Sequence, residues 1–207
     1  PDVILFTGDM VNLSPDELEP FVNVLSRLNA PDGVFSILGN HDYLGYAHYD
    51  SPGEKEAQER RLMGMERSAG MDLLLNENRI IRHGCDSIAL VGVENDGRPP
   101  FPERGDLTKA QTGLPSGIFK VLMSHDPTHW RRKVLPDTDI DLTLSGHTHA
   151  MQFRIGNFSP SMFLYHEWGG LYSEGERRLF VSTGTGGNIA YRWGAWPEID
   201  VLVLRRK

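Results

Sequence analysis

Val34-Phe35-Ser36-Ile37-Leu38-Gly39-Asn40-His41-Asp42 is an apolar run that stops at a glycine and then presents three polar side chains. Ile4-Leu5-Phe6-Thr7-Gly8-Asp9 has the same form. Between the two, Ser14-Pro15-Asp16-Glu17 reads as a helix start, with Ser14 as N-cap, Pro15 at the first helical position and Glu17 closing a capping box. Phe21, Val22, Leu25 and Leu28 supply a helical stripe, and residues 29–33 turn the chain. Strand, helix and strand in that order predict a βαβ unit with parallel strands.

Working outward, a charged helix is expected over Glu54–Ala69, its Glu54–Arg67 face solvated. Ile80–Arg82 and Ser87–Glu94 read as paired strands around Gly84-Cys85-Asp86. The Gly- and Pro-rich stretch 96–117 reads as a loop with a short helix. Phe119–Met123 and Asp141–Leu144 are two more buried strands, separated by a helix near Thr128–Leu135. Gln152–Ile155, Leu179–Thr183 and Glu198–Arg205 are expected as further strands. The class is α/β, with a parallel-leaning first half and an antiparallel-leaning second half.

The 207 residues suit one domain, 1–207, with a sizeable core. Hydrophobic residues make up 39% and charged residues 24%, which excludes disordered and fibrous classes. No apolar run is long enough to span a membrane. Cys85 stands alone and forms no internal disulfide. A net charge of −7 argues against a nucleic-acid partner. It leaves an anionic substrate open, because bound divalent cations reverse the local field. No residue pattern assigns a compartment.

The chemistry collects at four strand ends. Val121-Leu122-Met123-Ser124 leads to His125-Asp126, and Leu142-Thr143-Leu144-Ser145-Gly146 leads to His147-Thr148-His149. With Asp9 and Asn40-His41-Asp42 these place carboxylate, amide oxygen and imidazole ligands on the carboxyl edge of an open sheet, where α/β proteins build sites. Any single one has a bland reading: Thr7-Gly8-Asp9 as a turn, His125 as a satisfied core histidine. Four in register do not. Such a hard-to-borderline donor set suits manganese, iron or zinc, with magnesium a further candidate.

The series Gly8-Asp9, Gly39-Asn40-His41-Asp42, His125, Gly146-His147-Thr148-His149 resembles the calcineurin-like metallophosphoesterase superfamily. Trp168–Tyr172, Val181–Gly186 and Arg192 are similar to the bacterial branch that contains UDP-2,3-diacylglucosamine pyrophosphatase-like enzymes. The resemblance implies a four-layer metallophosphatase sandwich, two mixed β-sheets flanked by helices, and a binuclear metal centre. Asp9 would bridge two divalent metals; Asn40, His125 and His147 would complete the second site, and His149 would bind the first. His41 would act as an acid at the leaving group, oriented by Asp42, and Arg192 would face the substrate phosphate. A hydroxide bridging cations ~3.5–4 Å apart would attack phosphorus in line, without a covalent enzyme intermediate.

The implied substrate is a phosphorylated small molecule or a lipid-linked phosphodiester or pyrophosphate. The family's first motif, Asp-x-His on the first strand, does not precede Asp9, and a strand with its crossover, ~30 or more residues, does not fit in Pro1–Gly8. Pro1 in place of Met also points to a preceding segment, which could carry that motif or a membrane link. The expectation for the chain as it stands is therefore an N-terminally incomplete domain with a poorly filled first metal site and weak or no turnover. The alternative is a catalytically incomplete metal-binding scaffold or interaction domain.

Overall fold

A computed structural model describes residues 1–205. The βαβ reading holds at its core. β1 (Ile4–Phe6) pairs in parallel with β2 (Val34–Ser36), Leu5 opposite Phe35, and β3 (Asp72–Leu73) adds a third parallel strand. The connection is less regular than the stripe predicts. The Ser14 capping box forms and opens a 3₁₀ turn, Pro15–Glu17; a second covers Glu19–Phe21, and only Val22–Leu25 (α1) is α-helical. The 3₁₀ turns put the stripe out of phase: Val22 and Leu25 pack on Val11, Leu18, Leu44 and Leu62, while Phe21 and Leu28 face solvent.

The second sheet has six strands: β4 (Glu77–His83), β5 (Asp86–Gly92), β6 (Phe119–Met123), β7 (Leu142–Ser145), β8 (Gly170–Glu174) and β9 (Arg177–Val181), in the order β4-β5-β6-β7-β9-β8. The expected antiparallel second half is corrected here. The central run β5-β6-β7-β9 is parallel, and only the edge pairs β4–β5 and β8–β9 are antiparallel. Its crossovers carry α3 (Leu107–Ala110) and a helical segment over residues 130–137 that begins as a π-turn. Continuous helix is thus not needed to return a strand in parallel.

Two of the strands read from sequence do not form. Residues 149–152 take a 3₁₀ turn with Ala150 and Met151 left-handed, which redirects the chain, so Phe153 and Ile155 make only isolated bridges. Residues 198–205, read as a strand around the apolar run Val201–Leu204, enter no ladder among the described residues, and Val201 and Val203 stay exposed. An apolar run becomes a strand only where a neighbouring edge can pair its backbone groups.

The two sheets meet face to face. Phe35, Ile37 and Leu74 from the first pack on Ile81, Leu90, Val121, Met123, Leu142 and Leu144 from the second. Helices cover both outer faces: Leu62 of α2 (Pro52–Ser68) outside the first sheet; Leu107, Ala110, Trp130 and Val134 outside the second. This is the four-layer sandwich expected. His129 and Trp130 belong to that outer core rather than to a pocket. No helix among the described residues is long and apolar enough to cross a membrane.

One charged residue of α2 is fully buried. Glu66 is buried under the first sheet, where the Ser36 hydroxyl donates to Oε2 at 2.6 Å and Oε1 has no partner. Burial, and then the charge of Asp42, push its carboxyl up to about 8. The folded state therefore holds a proton that the unfolded chain releases near 4.5, so stability falls as pH climbs from that value toward 8. Glu66→Gln removes the titration. Its stability relative to the parent is expected to improve between pH 5 and pH 8.5 by urea unfolding; an identical difference at both pH values contradicts this assignment.

Candidate metal centre

The site lies where β1, β2, β6 and β7 end. Gly8 (φ +97°) and Gly39 let the two loops of the first sheet touch. A Cβ on Gly8 would fall 2.5 Å from the Gly39 nitrogen and 2.8 Å from His125 Nδ1; one on Gly39 would overlap the Asp9 carboxylate. Asp9 and His147 are themselves left-handed, at φ 58° and 70°. Non-glycine residues held there store backbone strain that cooperating contacts must offset, a pattern concentrated at functional sites.

Four donor atoms converge from these strand ends. Asn40 Oδ1 lies 3.1 Å from His125 Nε2 and 2.7 Å from His147 Nδ1. Asp9 Oδ2 is 3.1 Å from His125 Nε2, and the two imidazole nitrogens face each other at 3.2 Å. Asp9, His125 and His147 form a group of metal-ligating type among the described residues. The donor chemistry fits a divalent cation: two imidazoles, a carboxylate and an amide oxygen turn lone pairs inward, and one proton at most fits between the facing nitrogens.

Charge is unevenly held. Burial alone would lower His125, but Asp9 outweighs it and keeps the imidazole up at about 9, with Nδ1 bonded to the Thr7 carbonyl at 2.7 Å. Burial raises Asp9, and the charge and hydrogen bond of His125 more than offset this, so it sits well below the usual carboxylate range. His147 is pushed down to about 4 by burial and then by His125, so its ring is neutral at pH 7. His149 lies outside the group, Nδ1 toward the Thr183 carbonyl at 3.4 Å, and burial lowers it too.

Two expected roles change. Asp42 does not reach the His41 ring. Its buried carboxylate accepts main-chain hydrogen bonds from Asp9, Met10 and Gly39, each at 2.8 Å, and from Val11 at 3.3 Å, tying the first two loops together. His41 is oriented instead by the Asn12 carbonyl, 2.8 Å from Nδ1, and by stacking on Tyr46 at 4.3 Å. Arg192 is spent on carbonyls: Ala195 at 2.9 Å, Thr183 at 3.1 Å, and Gly186, with Nη2 3.5 Å from His149 Nδ1. Through its two Nη atoms it braces the 183–195 loop beside the site.

Asp126 caps the turn after β6, accepting from the Thr128 amide at 2.8 Å, while its Oδ2 is buried without a hydrogen bond, 3.8 Å from His147 Nε2. Sequence reasoning missed Tyr46 and Tyr165. Tyr46 Oη accepts from Asn40 Nδ2 at 2.7 Å, and Tyr165 Oη lies 2.8 Å from His147 Nε2. Neither sits at a strand end, and the only signal for Tyr46 was its aromatic loop.

Residues 1–151 match the family described as calcineurin-like phosphoesterase. An uncharacterized metallophosphoesterase of Campylobacter jejuni is 31% identical over all of the chain, which spans 51% of that protein, about half its length. The UDP-2,3-diacylglucosamine pyrophosphatase LpxG of Chlamydia trachomatis is 25% identical over 98% of the chain and 73% of its own length. Among solved structures, the sulfate thiohydrolase SoxB of Thermus thermophilus superposes with a TM-score of 0.52 at 20% identity, over 86% of this chain and 33% of that one. That likeness is one of fold.

Proposed function

The chain belongs to the calcineurin-like phosphoesterase family, and from that premise we propose that it is a metal-dependent hydrolase of phosphodiester or pyrophosphate bonds. The observation that carries the reading is the convergence of Asp9 Oδ2, Asn40 Oδ1, His125 Nε2 and His147 Nδ1 from four strand ends. These residues would hold one divalent cation, and Asp9 with His149 would contribute to a second. Bound there, divalent cations supply Lewis acidity to a phosphoryl oxygen and acidify water at neutral pH.

His41 serves as the acid. A carbonyl only accepts, so the 2.8 Å contact with Asn12 assigns a proton to His41 Nδ1. The transferable proton then belongs to Nε2. Hydrolysis forms one bond from water oxygen to phosphorus, the water releasing a proton to solvent, and breaks the bond to the leaving oxygen; His41, acting as the imidazolium, would deliver its Nε2 proton to that oxygen as it departs. Tyr46, stacked on the ring, limits the angles His41 can take. The resemblance to a UDP-2,3-diacylglucosamine pyrophosphatase favours a pyrophosphate joined to a lipid-linked or other small organic group.

The test is hydrolysis of bis(p-nitrophenyl) phosphate with manganese, before and after chelation. Turnover, weak in the chain as it stands, is expected to disappear with chelator and to return with manganese. His41→Ala is expected to lower kcat by about 10²–10⁴-fold while manganese affinity stays unchanged. Tight manganese binding with no cleavage of any phosphodiester or pyrophosphate would favour a scaffold instead.

A further inference from the structure

Two of the four donors are ambiguous by chemistry. Asn40 can turn either its oxygen or its nitrogen inward, and only Oδ1 carries lone pairs for a cation. A neutral His147 carries one ring proton, on Nδ1 or on Nε2, and Nδ1 is a donor to a cation only when that proton sits on Nε2. In the structure each ambiguity meets a tyrosine. Asn40 Nδ2 donates to Tyr46 Oη at 2.7 Å, which leaves Oδ1 facing His125 and His147. Tyr165 Oη stands 2.8 Å from His147 Nε2.

The hydroxyl is suited to this. Its oxygen can accept from an Nε2–H, the tautomer that leaves Nδ1 free for a cation. Asp126 Oδ2, buried without a hydrogen bond and 3.8 Å from Nε2, adds negative charge on the side where the proton must sit.

We propose that Tyr46 and Tyr165 are positioning residues that preset Asn40 Oδ1 and His147 Nδ1 as the inward-facing donors of the metal centre. The inference rests on the metal-dependent reading above. Neither tyrosine touches substrate in this role; each acts through the ligand it holds.

Zinc affinity, measured by competition with a chromophoric chelator, tests this without turnover. Tyr165→Phe leaves a buried Nε2–H without an acceptor and is expected to weaken zinc binding about 10–100-fold, the range for lost support of a metal ligand. Tyr46→Phe is expected to act in the same direction. Tyr49→Phe, whose hydroxyl contacts the Leu13 carbonyl at 3.4 Å, is expected to bind zinc as the parent does. Two further readouts separate positioning from general support. The zinc-free melting temperature of Tyr165→Phe should fall by no more than the few degrees that one lost hydrogen bond allows. In ¹⁵N-histidine spectra of the zinc-loaded parent, the His147 proton should be on Nε2. Parent protein that binds zinc with unchanged affinity in both variants overturns this inference alone. Parent protein that holds no zinc overturns the metal-dependent reading and the inference with it.

Discussion

Asp42→Ala is expected to destabilise the fold by about 3–5 kcal/mol, since each buried amide left unsatisfied costs about 1–3 kcal/mol and water recovers part of the loss. Asp42 receives four main-chain N–H groups from two loops 30 residues apart, and its side chain is almost fully buried. Removing it frees the Gly8-Asp9 and Gly39-Asn40 turns from each other, so the ligand geometry goes with the stability. For a chain of this size the loss corresponds to a fall in melting temperature on the order of 10 °C. The measurement is thermal unfolding of the metal-free protein at neutral pH, followed by circular dichroism. A variant with the parent's melting temperature and a deficit confined to turnover would return Asp42 to the role of orienting His41.

Asp9→Asn separates charge from architecture. Asparagine keeps an oxygen for the His41 amide, which now bonds to Oδ1 at 2.9 Å, and it tolerates the left-handed backbone at φ 58° better than most residues. What it lacks is the negative charge that faces His125 at 3.1 Å. Manganese affinity is expected to drop by more than the roughly 100-fold that a supporting group contributes, and hydrolysis to drop with it, while the circular dichroism spectrum is kept. Equilibrium dialysis with elemental analysis reads the affinity. If Asp9→Asn holds manganese as tightly as the parent, the convergent donors are not a metal centre.

Set against the structure, the sequence was most legible where chemistry and local pattern coincide. Each apolar run that ends in a Gly or Ser and a ligand-type residue folded as a strand whose end reaches the centre, and the Ser14 capping box formed as read. The hairpin over residues 77–92 followed from its turn residues, and the short helix expected within residues 96–117 forms over Leu107–Ala110. Patterns without a partner were read less well. Residues 198–205 hold a strand-sized apolar run and yet have no ladder among the described residues, and Glu66 sits on a charged helix and yet lies under a sheet.

By itself, then, the sequence determined the ligand types, their order and their place at strand ends, because these depend on neighbours within a few residues. Only the tertiary structure decided who supports whom. Asp42 holds amides 31 to 33 positions away as well as Gly39, Tyr165 reaches His147 across 18 positions, and Arg192 closes on carbonyls where a phosphate contact was expected. The physical reason is that a hydrogen bond is satisfied by whatever polar atom lies within about 3 Å in the folded chain. Spacing along the sequence carries no record of that distance.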